Sequence, residues 1–173
     1  MVLAPAAAEA RGAETGLIGG EILASLPLFV PPAPVRSAQE IAFLDTVRRA
    51  DGLILASPGY HGGVSGLVKN ALDLLEETAA DVRVYLTGVP VGLIATAYGW
   101  QATGSTIAGL RAIVHALRGW PTPLAAAVNS LTARSALTAP APIPRSAPSW
   151  PRCRPRWPTS SRHGLTPDPN DPG

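Results

Sequence analysis

An α/β domain, a parallel sheet covered by helices, is the fold class that this 173-residue sequence predicts. Three observations lead there. Short apolar runs alternate with stretches of helical spacing, the runs end on Ser, Pro or Gly, and helix-start signals follow those turns. The length suits one such domain. With 46% hydrophobic residues against 15% charged, the chain has the material for a packed core.

The elements follow in order. Residues 1–10 predict the end of a helix, and Glu14–Ile18 a strand. Ser37-Ala38-Gln39-Glu40 has capping-box spacing and predicts a helix with Ile41, Leu44 and Val47 on one face, stopping near Asp51-Gly52. Leu53–Ala56 is an uninterrupted apolar run that ends at Ser57-Pro58-Gly59, as a buried parallel strand does. Gly66 to Thr78 predicts a second helix with Leu67, Ala71, Leu74 and Leu75 along one side, and with Lys69 and Asp73 one turn apart. Val91–Ala95 is the next strand. Thr103 or Ser105 is the expected cap of a third helix carrying Ile107, Leu110, Val114 and Leu117, with Gly119 at C′. Leu124–Val128 predicts the last strand. Ligands of such sheets sit at the carboxyl ends of strands, so the loops after Ala56 and Ala95 are the candidate site.

Past about Thr132 the periodicity vanishes. Ten of the 19 prolines fall between Pro140 and Pro172, mixed with Arg and Ser, and this composition predicts disorder. Residues 1–131 are therefore the expected domain and 132–173 a Pro/Arg-rich tail. Charge divides at the same place: residues 133–173 carry six arginines and two aspartates, whereas residues 1–132 carry eight basic and ten acidic side chains. The excess of positive charge belongs to the tail and does not make a nucleic-acid site, because no aromatic RNA-binding motif or zinc-finger spacing accompanies it. Cys153 cannot form an intramolecular disulfide alone, which fits a reducing, cytoplasmic setting. No apolar run reaches the roughly 18 residues of a membrane span. His61, His115 and His163 have no metal-ligand spacing, and Gly63-Val64-Ser65-Gly66 misses the nucleophile-elbow pattern, so neither a metal site nor a hydrolase is expected.

The stretch from Ala50 to Asp73, ADGLILASPGYHGGVSGLVKNALD, resembles the signature of the NAD(P)H-dependent FMN reductase family, whose strand leads into a Ser-Pro-Glu-Tyr-Asn-Gly loop and a Lys-Asn-Ala-Leu-Asp helix. The segment from Gly88 to Asn129 is similar to the family's next strand, glycine-containing loop, helix and final strand. The likeness covers roughly residues 10–130 and implies a flavodoxin-like three-layer sandwich with strand order 2-1-3-4-5. The family's first strand and its Ser/Arg-rich phosphate loop have no counterpart here, so the fold is expected to be incomplete at the N-terminus. The family's last helix also has no match after Asn129, which suggests a change of reading frame.

The resemblance implies FMN and NAD(P)H as cofactors. Ser57, Pro58, Gly59, Tyr60, His61 and Gly62 would hold the flavin from one loop, and Thr96, Ala97, Tyr98, Gly99 and Trp100 from the other. No catalytic acid or base is assigned, because the flavin itself carries the hydride. A small-molecule electron acceptor and a homodimer are the implied partners. The family usually has Glu where Gly59 stands and Asn where His61 stands. The rival reading is a non-catalytic flavodoxin-like remnant that binds no flavin.

Overall fold

The computed structural model describes residues 3–31 and 35–131. The expected tail from residue 132 lies outside the described residues. Two short helices come first, α1 (Leu3–Glu9) and α2 (Gly20–Ser25), joined and followed by chain without regular secondary structure. Then follow α3 (Ala38–Arg49), β1 (Leu53–Tyr60), β2 (Gly63–Val64), α4 (Gly66–Asp73) with a 3-10 continuation over Leu74–Thr78, β3 (Pro90–Ala97), α5 (Trp100–Ala116) and β4 (Trp120–Asn129). The sheet order is β2-β1-β3-β4; β1, β3 and β4 are parallel, and β2 pairs antiparallel with the end of β1.

The core is one cluster. Phe43, Leu44 and Val47 from α3, Val68, Ala71 and Leu72 from α4, and Leu110 and Val114 from α5 meet Val91 and Leu93 of β3. Val91, Leu93, Ala95 and Ala97 are buried on one face of β3, while their neighbours Gly92, Ile94 and Thr96 are half-buried on the other. That period of two is what a pleated strand imposes.

Local signals explain the helix ends. The Ser37 hydroxyl accepts from Glu40 N–H at 3.2 Å, and the Glu40 carboxylate accepts from Ser37 N–H at 2.7 Å, which makes the predicted capping box. Arg83 caps the other end of α3 by donating to the carbonyls of Val47, Arg48 and Ala50 at 2.7–2.8 Å. Asn70 clamps the N-terminal segment to α4: its side chain donates to Pro27 O at 2.9 Å and accepts from Phe29 N–H at 2.8 Å.

Three expectations about elements change. Residues Glu14–Ile18 are not a strand; Ile18 packs on the core and no strand pairs with this stretch among the described residues. Consequently β1 has no strand beside Leu53–Pro58 on its outer side among the described residues. Helix α5 begins at Trp100 behind Gly99, so Thr103 and Ser105 lie inside it and bond back to Trp100 O and Ala102 O. At its C-terminus Arg118, not Gly119, takes the left-handed conformation (φ 60°). Arg118 N–H donates to His115 O and Gly119 N–H to Val114 O, the two bonds of a Schellman motif. Gly119 is needed for space, since a Cβ there would stand 2.9 Å from Val114 Cγ1 and 3.2 Å from Leu86 Cβ.

Glu40 is almost fully buried beside Arg36, which also reaches Glu77. Burial pushes its carboxyl up, but bonds from Ser37 and Arg36 together outweigh burial and hold it below the usual carboxylate range. A lowered folded-state value gives stability that is present above the unfolded carboxylate range and lost as pH falls through the folded one. Glu40→Gln is therefore expected to cost about 1–3 kcal/mol at neutral pH. Urea denaturation at neutral and acid pH should show a smaller acid-induced loss in the variant than in the parent.

Candidate functional site

The Ser57–Gly62 loop expected after the first strand is a β-hairpin. Strand β1 runs on through Pro58 and Gly59 to Tyr60, turns at His61 and Gly62, and returns as β2, with Gly59 opposite Val64 and Tyr60 opposite Gly63. Both turn residues have positive φ, 51° at His61 and 83° at Gly62, as a two-residue type I′ turn requires. Gly62 is a natural occupant, and His61 is among the side chains that tolerate this region better than most.

The hairpin is fastened at its base and along its length. Ser57 is buried, donates its hydroxyl to Pro58 O at 2.8 Å and accepts from Ser65 N–H at 3.0 Å. Ser65 caps α4 by accepting from Val68 N–H. One serine thus ties β1, β2 and the start of α4 together, and its hydroxyl is occupied in doing so. Gly59 faces α5: a Cβ there would collide with Thr106 Oγ1 and stand 3.1 Å from Ala102 O and 3.5 Å from Ala97 Cβ. Thr106 is fully buried, donates to Ala102 O at 2.8 Å and reaches Gly63 O at 3.4 Å. Val64 rests 3.5 Å from the Cβ position of Gly109.

This packing brings the two predicted loops together. Pro58 pairs in register with Thr96, Ala97 pairs with Asn129, and Gly59 lies against Ala97 and the first turn of α5. Around that junction Tyr60, Tyr98 and Trp100 are 63%, 74% and 62% exposed. Gly62 and Gly99 have nothing within 4 Å of where a Cβ would stand. Gly99 precedes α5 without a side-chain cap, so N–H groups of the first turn and the positive end of the helix dipole face outward. Bare backbone donors between three exposed aromatic rings fit a flat heteroaromatic ring system. Of the eleven residues singled out, Ser57, Gly59 and Ala97 face inward, Pro58 and Thr96 sit in the sheet, and the other six form the turn, the rings and the uncapped end. Thr106 and Gly109, which seat the hairpin, were not singled out; their signal is the run of small residues along α5 from Ala102 to Gly109.

Two concavities lie elsewhere. One of about 380 Å³ is lined by Val47, Arg48, Asp81, Arg83 and Tyr85, and the other, about 390 Å³, by Pro27, Leu28, Val35, Arg36 and Glu40. Their charged groups are already tied to one another or to helix-end carbonyls. No cluster of metal-ligating side chains occurs among the described residues, and no described helix is long and apolar enough to cross a membrane.

Three parallel strands with helices packed on them define an α/β protein, and the carboxyl ends of β1 and β3 carry the candidate site. The family described as NADPH-dependent FMN reductase matches residues 1–132, and the chain belongs to that family, with its flavodoxin-like α/β fold. An FMN-dependent NADPH-azoreductase of Staphylococcus haemolyticus (strain JCSC1435) is 38% identical over 81 residues, 47% of this chain and 39% of the relative. One of Staphylococcus aureus (strain USA300) is 42% identical over 74 residues, 43% of this chain and 36% of the relative. The chain thus spans about two fifths of the length of these curated relatives. Among solved structures, an NADH:FMN oxidoreductase in apo form is 26% identical, with a TM-score of 0.48 over 57% of this chain and 50% of that one.

The seating of Gly59 gives a direct test. Gly59→Ala is expected to destabilise by about 1–3 kcal/mol through overpacking against Thr106. Adding Thr106→Ala removes the colliding oxygen and should recover part of that loss in a double-mutant denaturation cycle; strictly additive losses would mean that the two residues do not touch.

Proposed function

We propose that this chain is an NAD(P)H-dependent FMN reductase-type oxidoreductase, acting on a small electron acceptor such as a free flavin or a quinone. The observation that carries the reading is the junction of the hairpin turn with the uncapped start of α5, flanked by three exposed aromatic rings. Bound there, FMN supplies the chemistry of accepting a hydride from a nicotinamide and passing reducing equivalents on.

The protein's part is binding and orientation. The backbone N–H groups of His61, Gly62, Gly99 and Trp100 are available to hold the polar edge of the ring. Tyr60, Tyr98 and Trp100 offer faces for stacking and shelter from water. Ser57 acts at one remove by fixing the hairpin that carries Tyr60 and His61, and Pro58, Gly59, Thr96 and Ala97 form the floor on which both loops stand. The matched azoreductases are described as FMN-dependent and NADPH-using, which supports the cofactor assignment.

A cytoplasmic location and a homodimer complete the reading. Helix α4 buries Val68, Ala71 and Leu72 in the chain's own core and leaves Leu67 48% exposed, so Leu67 is the part of its apolar side free for a partner.

The purified chain should quench FMN fluorescence saturably and, once loaded, oxidise NADPH with added flavin or quinone. Tyr60→Ala and Trp100→Ala remove exposed rings, so stability should change by no more than about 0.5 kcal/mol. FMN affinity should fall roughly 3- to 10-fold in each. A folded chain that leaves FMN fluorescence unquenched is the non-catalytic remnant instead.

A further inference from the structure

Resting on the flavin reading of this edge, we propose that the site recognises the planar ring of its ligand and not a charged substituent, so that the chain binds riboflavin and FMN alike. The two stretches that build the site, residues 53–68 and 84–110, contain no Asp, Glu, Lys or Arg. Of the charges that flank them in the chain, Asp51 precedes β1 at the end opposite the turn, and the other three are engaged elsewhere. Lys69 pairs with both carboxylate oxygens of Asp73 at 2.6 and 2.8 Å. Arg83 is spent on three carbonyls at the end of α3. Arg111 donates to Thr122 O and Pro123 O at 2.9 and 2.8 Å, where β4 departs from its register with β3. What faces outward at the junction includes no carboxylate, lysine or arginine: two tyrosines, one tryptophan, the backbone of two glycines, and a histidine at the turn. Such a surface selects by stacking area and backbone hydrogen bonds, neither of which depends strongly on ionic strength.

The full chain is titrated with FMN and with riboflavin, each read by quenching of flavin fluorescence, in about 0.02 M and about 0.5 M NaCl. Dissociation constants within about threefold of each other, and shifting less than about threefold between the two salts, are the expected result. Trp100→Ala should weaken both flavins by the same factor. FMN binding more than about tenfold tighter than riboflavin, with the advantage shrinking in high salt, overturns the proposal and assigns the phosphate to a charged contact or to the open end of α5. Failure of a folded chain to bind either flavin overturns the flavin reading itself.

Discussion

The seat of the hairpin on α5 is the contact from which the rest of the candidate site follows. Gly59 has no side chain because Thr106 and Ala102 occupy the space one would fill. Removing that side chain lets β1 continue two residues beyond Pro58, so the chain turns at the outer edge of the sheet rather than at its end. The turn then places Tyr60 and His61 beside the start of α5, where Tyr98, Gly99 and Trp100 already stand. Ser57 and Ser65 hold the other end of the same unit by joining β1 to the cap of α4. Ser57 thus rivets the base of the hairpin.

This arrangement gives physical meaning to two departures from the family's pattern. A Glu at position 59 could not sit in this packing, because even its Cβ would meet Thr106. Asn-Gly is the favoured pair of a type I′ turn, and His61-Gly62 holds the same geometry with a larger ring at the tip. Glycine here gains close packing at the expense of a carboxylate.

Much of this was legible in the residues. The capping box at Ser37 and Glu40, the apolar stripe of α5 and the parallel strands around Leu55 and Leu93 are local signals, and local geometry obeys them; on α3 Leu44 and Val47 are buried as expected, whereas Ile41 is exposed and Phe43 is buried in its stead. The hairpin was not legible, because Ser-Pro-Gly reads as the end of a strand unless the small residues of α5 are known to lie opposite. Gly99 as the helix start was hidden by better capping residues at 103 and 105, of which Thr103 is buried and Ser105 half-buried within α5. Glu14–Ile18 has strand composition but no neighbour to pair with, and a strand exists only through its partner. The edge that carries the candidate loops could be inferred from topology; which of their side chains are spent internally could not.

Amide chemical-shift mapping of the isotopically labelled chain with added FMN tests the central claim most directly. The account predicts perturbations concentrated in residues 57–64 and 96–102, with those of α3 and of the Arg83–Tyr85 segment unmoved. Perturbations centred on the Arg48–Tyr85 cleft, or spread evenly over the domain, would contradict it.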